Sequence, residues 1–328
     1  MVPMTWRFSM QAMNQIKRQL FTGLSPSRMG LMIALVAILS GGAGCESDDG
    51  ASIEPDIVTY STMSDWSPNG RVIAVAWGGR PTIRPNGLYL IDTVDWSIQS
   101  LYVPADSLTS INCSTPSWSP GGEWLAFSYG HDIYKIKRTG DSLTQLTDFG
   151  EQYFCDWSPA DTLIASVESS GSQVGTWIYS PDGLDAQYLI PLASNPAFLT
   201  ADSLLYIRNS RTNVRDSAEM VLRSLVDGGE RIVLKWDKYG SLALLDHPVP
   251  SPDGQRIVCS AQGRIVTMSL DGDSLQVLTE RPGQFPYCQY PSWSPDGLQI
   301  MYNVQLQGGG GLWIMNSDGS NKRQIPGW

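Results

Sequence analysis

The sequence has few of the residues on which catalysis usually depends. Its 328 residues include two histidines, His131 and His247, which are too few for a three-histidine metal site. It has no Gly-x-Ser-x-Gly motif to mark a hydrolase nucleophile and no Cys-x-x-Cys pair to mark a metal site. The sequence therefore predicts no catalytic residues, no bound metal and no cofactor, and it indicates that the protein is not an enzyme.

Positive charge is also scarce beyond the first 44 residues. Those 44 residues contain four basic side chains and no acidic ones, which leaves 18 basic against 32 acidic residues, a net charge of −14, for 45–328. A nucleic acid is held by clustered lysines and arginines that displace counterions from its phosphates. The charge balance therefore predicts no nucleic-acid partner.

The sequence lacks an apolar run long enough to cross a bilayer, which takes about 20 residues. The longest run, 31–39, follows basic residues and precedes small ones, as in a secretory signal peptide. The next residues, Ala43-Gly44-Cys45, resemble a bacterial lipobox, although Gly42 stands where leucine is usual. We expect 1–44 to be a lipoprotein signal peptide with Cys45 lipidated. Cleavage near Ala43 to give a soluble periplasmic protein is the alternative.

An acidic, flexible tether is predicted for 45–58, before a folded domain at 59–328. These features predict a protein of the bacterial cell envelope. It would be held by a lipid at Cys45 in the outer membrane and would face the periplasm or the cell surface.

The rest of the chain is rich in turn-forming and strand-forming residues, and it repeats itself. It contains 32 glycines and 21 prolines, and aromatic residues make up 10% of the sequence. A motif close to Trp-Ser-Pro-Asp-Gly recurs six times, at intervals of 39 to 52 residues, which is near the length of a propeller blade. Its aromatic markers are Trp66, Trp118, Trp157, Phe198 and Trp293, and the fifth copy, about Val249, has lost its aromatic residue.

Each motif is followed by an apolar strand, a loop, an alternating strand, a glycine turn and a short final strand. Four strands per repeat and six repeats predict an all-β fold, a six-bladed β-propeller of four-stranded antiparallel blades. The spacing near 214–222 also fits one turn of helix, and the glycines at 308–311 indicate a flexible loop. We expect the marker aromatics to be structural, packing between neighbouring blades.

These repeats resemble those of the TolB-type six-bladed propeller, a periplasmic relative of WD-repeat propellers, over about 60–326. The resemblance implies a propeller that binds partners and does no chemistry.

Binding is expected in irregular loops on the face opposite the motif turns, because loops on a rigid scaffold often carry function. The candidate binding residues are Arg80, Arg84, Arg211, Arg215 and His247, and His247 is expected on an inner strand facing the channel. The function predicted is that of a non-catalytic scaffold, a monomeric propeller that binds an envelope protein or peptide. A glycan-binding or glycan-degrading propeller, acting as a lyase, is the alternative.

Four further cysteines, Cys113, Cys155, Cys259 and Cys288, admit disulfides in an exported protein. Neighbouring blades favour the pairs Cys113–Cys155 and Cys259–Cys288, and buried thiols are the alternative.

Overall fold

The computed structural model describes residues 61–78, 84–105, 113–148, 151–169, 173–209, 217–237, 245–281, 286–306 and 309–328. Every regular element within these ranges is a β-strand, and the strands form six sheets of four. In each sheet the strands are consecutive in sequence and antiparallel, which makes each sheet one propeller blade. The predicted fold class is confirmed.

The strands follow the order expected from the repeats. Blades one and two contain β1 (Ser61–Trp66), β2 (Val72–Gly78), β3 (Gly87–Asp92), β4 (Ile98–Tyr102), β5 (Cys113–Trp118), β6 (Trp124–Tyr129), β7 (Asp132–Lys137) and β8 (Thr144–Gln145). Blades three and four contain β9 (Gln152–Trp157), β10 (Ile164–Glu168), β11 (Gly175–Tyr179), β12 (Ala186–Pro191), β13 (Ala193–Thr200), β14 (Ser203–Asn209), β15 (Ser217–Ser224) and β16 (Glu230–Asp237). Blades five and six contain β17 (Leu245–Pro250), β18 (Arg256–Ala261), β19 (Arg264–Ser269), β20 (Gln276–Val277), β21 (Tyr287–Trp293), β22 (Gln299–Leu306), β23 (Gly309–Asn316) and β24 (Arg323–Gln324).

The repeat markers share one register position, at or within two residues of the end of each blade's first strand. The pairs are Trp66 with Ile73, Trp118 with Leu125, Trp157 with Ile164, Phe198 with Leu204, Pro250 with Ile257 and Trp293 with Ile300. The fifth marker is therefore Pro250 rather than Val249, because the register and not the spacing decides which residues are equivalent.

The serine side chain of the motif stabilises its turn through hydrogen bonds. In blade six, Ser294 Oγ donates to Asp296 Oδ1 at 2.6 Å and accepts the backbone N–H of Gln299 at 2.9 Å. The Gly297 N–H closes the turn on the Ser294 carbonyl at 2.8 Å, with φ of +70° at the glycine. The serine is buried in each of the five turns that keep it. These contacts explain why Ser, Asp and Gly recur together in the motif.

The core consists of hydrophobic clusters that lie between neighbouring blades. One cluster joins Trp118 of blade two to Leu88 of blade one, and another joins Trp293 of blade six to Val258 of blade five. The five aromatic markers are 5–7% exposed. These aromatics pack between neighbouring blades, and their burial stabilises these junctions.

The junction of blades six and one is completed by Trp328, because no strand is exchanged between these two sheets. The Trp328 ring meets the rings of Trp77 and Tyr89 edge-on, with centroids 5.5 and 6.2 Å apart. Gly311 makes room for this residue, since a Cβ there would lie 2.8 Å from the Trp328 carbonyl oxygen.

Two local expectations were wrong. Residues 217–222, where a helical turn was considered, belong to β15, which pairs on both sides in blade four. Residues 309–311, expected in a loop, belong to β23 and pair with β22. In both segments, pairing within the blade outweighed the local sequence pattern.

Candidate functional site: the channel between the inner strands

The first strand of every blade faces the propeller axis, and these six strands enclose a cavity of about 180 Å³. Its wall is formed by β1, β5, β9, β13, β17 and β21. A cavity needs about 10–15 Å³ of such space to hold one water, so this one has room for several waters or a side chain.

Five of these inner strands carry a β-bulge at the same place. In each, the residue three before the marker has φ between +43° and +56°, and the register with the second strand shifts there. These residues are Thr115, Phe154, Asn195, His247 and Tyr290. A bulge redirects a side chain, and all five bulge residues line the cavity.

The sequence contains a signal for these bulges that sequence reasoning did not use. In four blades a proline directly follows the bulge residue, at Pro116, Pro196, Pro248 and Pro291. Proline has no N–H to donate to a sheet ladder, so it occurs at sheet edges and bulges. In blade one the residue at the proline position is Ser64, and β1 pairs with β2 without a shift in register.

His247 stands among aromatic rings on the cavity wall. Its ring centroid lies 4.4 Å from that of Tyr290 and 5.0 Å from that of Phe154, both in edge-on geometry. His247 Nδ1 lies 3.1 Å from Asp246 Oδ2, and His247 Nε2 is buried without a hydrogen-bond partner. His247 therefore lies on the wall of the channel.

Asn195 extends the cluster across to blade four. The residue is 8% exposed, and its Nδ2 donates to Asp246 Oδ1, which also accepts the His247 backbone N–H at 3.1 Å. The Asn195 Oδ1 is buried without a hydrogen-bond partner. Burial raises the pKa of Asp246, but His247 and these hydrogen bonds outweigh it, and the net pKa lies below the ordinary value. Asp246 is therefore a carboxylate at neutral pH.

Two further carboxyl groups on the channel wall connect neighbouring blades. Asp65 Oδ2 accepts the backbone N–H of Trp118 at 2.9 Å, and Asp156 Oδ2 accepts that of Phe198 at 2.6 Å. Burial raises the pKa of Asp65 to about 7 and that of Asp156 to about 6, although these hydrogen bonds oppose the change. In blade two Ser117 takes the equivalent role, with its Oγ accepting the Trp157 N–H at 2.9 Å. Sequence reasoning treated these positions only as part of the motif.

Arg84, the other candidate binding residue within the described ranges, does not line this cavity. The Arg84 guanidinium lies over the Trp328 ring, with Cζ 4.0 Å from its centroid, and takes part in ring closure. Arg80, Arg211, Arg215 and the lipidation candidate Cys45 lie outside the described residues.

The disulfides favoured by the sequence are absent from the described structure. Cys113, Cys155, Cys259 and Cys288 are each buried, and none is part of a disulfide. The predicted pairs were wrong because their members lie in different inter-blade clusters. Cys155 Sγ instead donates to the Thr115 carbonyl at 2.9 Å.

The described residues contain no group of three or more His, Cys, Asp and Glu side chains placed to hold a metal ion. They also contain no helix that is long and apolar enough to span a membrane.

The fold and the channel define the class of protein, a six-bladed β-propeller. No protein-family model matches the sequence, and no curated protein does. Among solved structures the chain is similar to TolB-type propellers. It is 18% identical to a putative TolB from Agrobacterium tumefaciens over 70% of this chain and 84% of that one, with a TM-score of 0.56. It is 13% identical to TolB from Acinetobacter baumannii over 80% of this chain and 62% of that one, with a TM-score of 0.60.

The same fold also occurs within the tricorn protease, with 16% identity over 83% of this chain and 26% of the protease and a TM-score of 0.60. At these identities the similarity concerns the fold. The chain thus has the fold of TolB-type propellers.

Proposed function

We propose that this protein is a non-catalytic binding scaffold of the bacterial cell envelope. It is tethered by a lipid at Cys45 and holds a segment of a partner protein at the mouth of the propeller channel. The lipid anchor and the envelope location rest on the sequence around 31–49, and the lack of chemistry rests on the resemblance to TolB-type propellers.

One observation of the channel carries the proposal. The Asn195 Oδ1 and the His247 Nε2 are buried without hydrogen-bond partners, and both residues line one cavity. A buried polar atom without a partner costs about 1–3 kcal/mol, and native proteins contain few of them. A ligand with N–H or O–H groups would give these atoms hydrogen-bond partners inside the cavity.

The surroundings of these atoms also fit a binding site. The rings of Phe154, His247 and Tyr290 form an apolar wall beside the polar atoms, a composition common in ligand sites. The positive φ at each of these residues is sterically strained, and strain of this kind occurs preferentially at functional sites.

Site-specific crosslinking tests the proposal. A photoreactive phenylalanine analogue would replace Phe154 in the channel or, as a matched control in the same blade, Leu184, which is 82% exposed in the turn between β11 and β12. The proposal predicts a discrete protein adduct in living cells from position 154 and none from position 184. The adduct from position 154 should be lost when the protein also carries Asn195→Leu.

The other outcomes are equally informative. Adducts from both positions would indicate non-specific contact, and the absence of a protein adduct at position 154 would refute the scaffold function. A glycan adduct at position 154 would establish the alternative, a glycan-directed propeller.

A further inference from the structure

The unpartnered atoms in the channel all have acceptor character. Asn195 Nδ2 must be the nitrogen that faces Asp246, because only a donor can approach a carboxylate oxygen closely. The atom left over is therefore the amide oxygen, an acceptor. This assignment follows from the contact, so flipping the amide would create a repulsion.

The same reasoning applies to His247. Its Nδ1 lies 3.1 Å from Asp246 Oδ2, and a neighbouring carboxylate favours the tautomer with the proton on Nδ1. His247 Nε2 then carries a lone pair and is a second buried acceptor without a donor.

Apart from His247, the charged side chains that line the cavity are acidic. Asp65 and Asp156 line it, and no lysine or arginine is among the described residues of its wall. The faces of aromatic rings such as Phe154 and Tyr290 are also negative, and they attract cations. Acceptors, carboxyl groups and aromatic rings together complement a ligand that carries positive charge and several N–H donors.

We propose that the channel cavity receives a cationic side chain, lysine or arginine, from an extended segment of the partner protein; this rests on the proposed function. Asn195 Oδ1 and His247 Nε2 accept hydrogen bonds from its N–H groups, Phe154 and Tyr290 flank its aliphatic stem, and Asp246 provides an adjacent negative charge. A cavity of about 180 Å³ has room for one such side chain.

The test is fluorescence polarisation with the full chain at pH 7.5 and three labelled peptides, acetyl-Gly-Gly-X-Gly-Gly with Lys, Gln or Glu at X. The Lys peptide is expected to bind at least tenfold more tightly than the other two. Because the chain is acidic, a Lys preference alone could arise from its net charge.

Substitutions that keep the net charge distinguish binding in the cavity from a general attraction of the Lys peptide to the acidic protein. Asn195→Leu and His247→Phe remove the two acceptors, keep a similar side-chain size and leave the charge at pH 7.5 nearly unchanged. Each is expected to weaken binding of the Lys peptide at least fivefold. The control is His131→Phe, which removes the second histidine, 53% exposed and bonded through Nδ1 to Tyr153 on another part of the ring. The control should bind like the unmodified protein.

Several results would overturn the inference. They are equal binding of the three peptides, no binding of any, or a Lys preference that survives in both channel variants with unchanged melting temperatures. Should one variant fail to fold, the other decides. If position 154 still crosslinks to a protein partner while the Lys preference is absent, the scaffold function stands and only the cationic specificity fails.

Discussion

The guanidinium of Arg84 lies 4.0 Å from the centre of the Trp328 ring, and its Nη2 donates a 3.2 Å hydrogen bond to the Gly327 carbonyl. These residues come from opposite ends of the propeller sequence, so their contact joins blade one to blade six. A cation over an indole face contributes about 0.5–2 kcal/mol. Arg84 was expected among the binding residues, and the structure shows it in the contact that closes the ring.

Removing Trp328 should therefore loosen the closure of the propeller. Trp328→Ala is expected to lower the free energy of unfolding by about 3 kcal/mol, since it removes a buried aromatic side chain and its packing against Trp77 and Tyr89. Denaturant unfolding followed by tryptophan fluorescence or circular dichroism measures the loss. Trp177→Ala, on the partly exposed face of blade three, is the control and should cost less. Equal losses would contradict a closing role for Trp328.

Asp65 should make stability fall as pH rises. Its pKa is about 7 in the folded protein because of burial, whereas an unfolded aspartate has a pKa of about 3.9. The folded state thus holds the proton more tightly, and stability declines from about pH 4 to about pH 7 and is level above that. Asp65→Asn removes this decline while its amide oxygen still accepts the Trp118 N–H. The variant should equal the unmodified protein near pH 4 and exceed it by on the order of 4 kcal/mol at pH 8.

Asp318 provides a control for that experiment, because its contribution to stability depends on pH in the opposite direction. Hydrogen bonds from Ser320 lower its pKa in an exposed turn, so its contribution is present above the unfolded pKa and is lost as pH falls. Asp318→Asn should therefore be slightly less stable than the unmodified protein at pH 8. An Asp65→Asn effect that did not change with pH would show that ionisation of Asp65 has no part in it.

The four propeller cysteines should be unreactive thiols in the folded protein. Each is at most 7% exposed, and burial raises the pKa of Cys155 to about 12 and raises those of Cys259 and Cys288. In the Cys45→Ser background without reductant, Ellman's reagent should detect no thiols in the native protein and four after denaturation in guanidinium. Two or no thiols after denaturation would demonstrate disulfides.

Cys45 should carry the lipid. Cells expressing the full chain and grown with radiolabelled fatty acid are expected to label the unmodified protein and not Cys45→Ser, because the thiol is the acylation site in a lipobox. Cys113→Ser is the matched control and should keep the label. An unlabelled unmodified protein would favour ordinary signal-peptide cleavage near Ala43.

The repeat determined the fold by itself. Trp-Ser-Pro-Asp-Gly combines an aromatic that must be buried with a turn of defined φ. Each copy therefore marks the first strand of one blade and the hairpin that follows it. Six copies at blade-length spacing then leave a closed ring as the arrangement that buries every marker between two sheets. Phe198 could be recognised as a marker because it keeps both the spacing and the aromatic bulk.

The tertiary structure alone decided which residues meet. Asn195, Asp246 and His247 come from adjacent blades, and only the closed ring with its bulges turns them toward one cavity. Arg84 is of a residue type that is common in binding sites. Its partner Trp328 lies 244 positions away, and such a contact leaves no local pattern in the sequence. The cysteines show the same limit: their spacing favoured neighbouring blades, while the strand faces placed them in separate inter-blade clusters. Local periodicity encodes which face of a strand is buried, and the ring geometry determines what that face contacts.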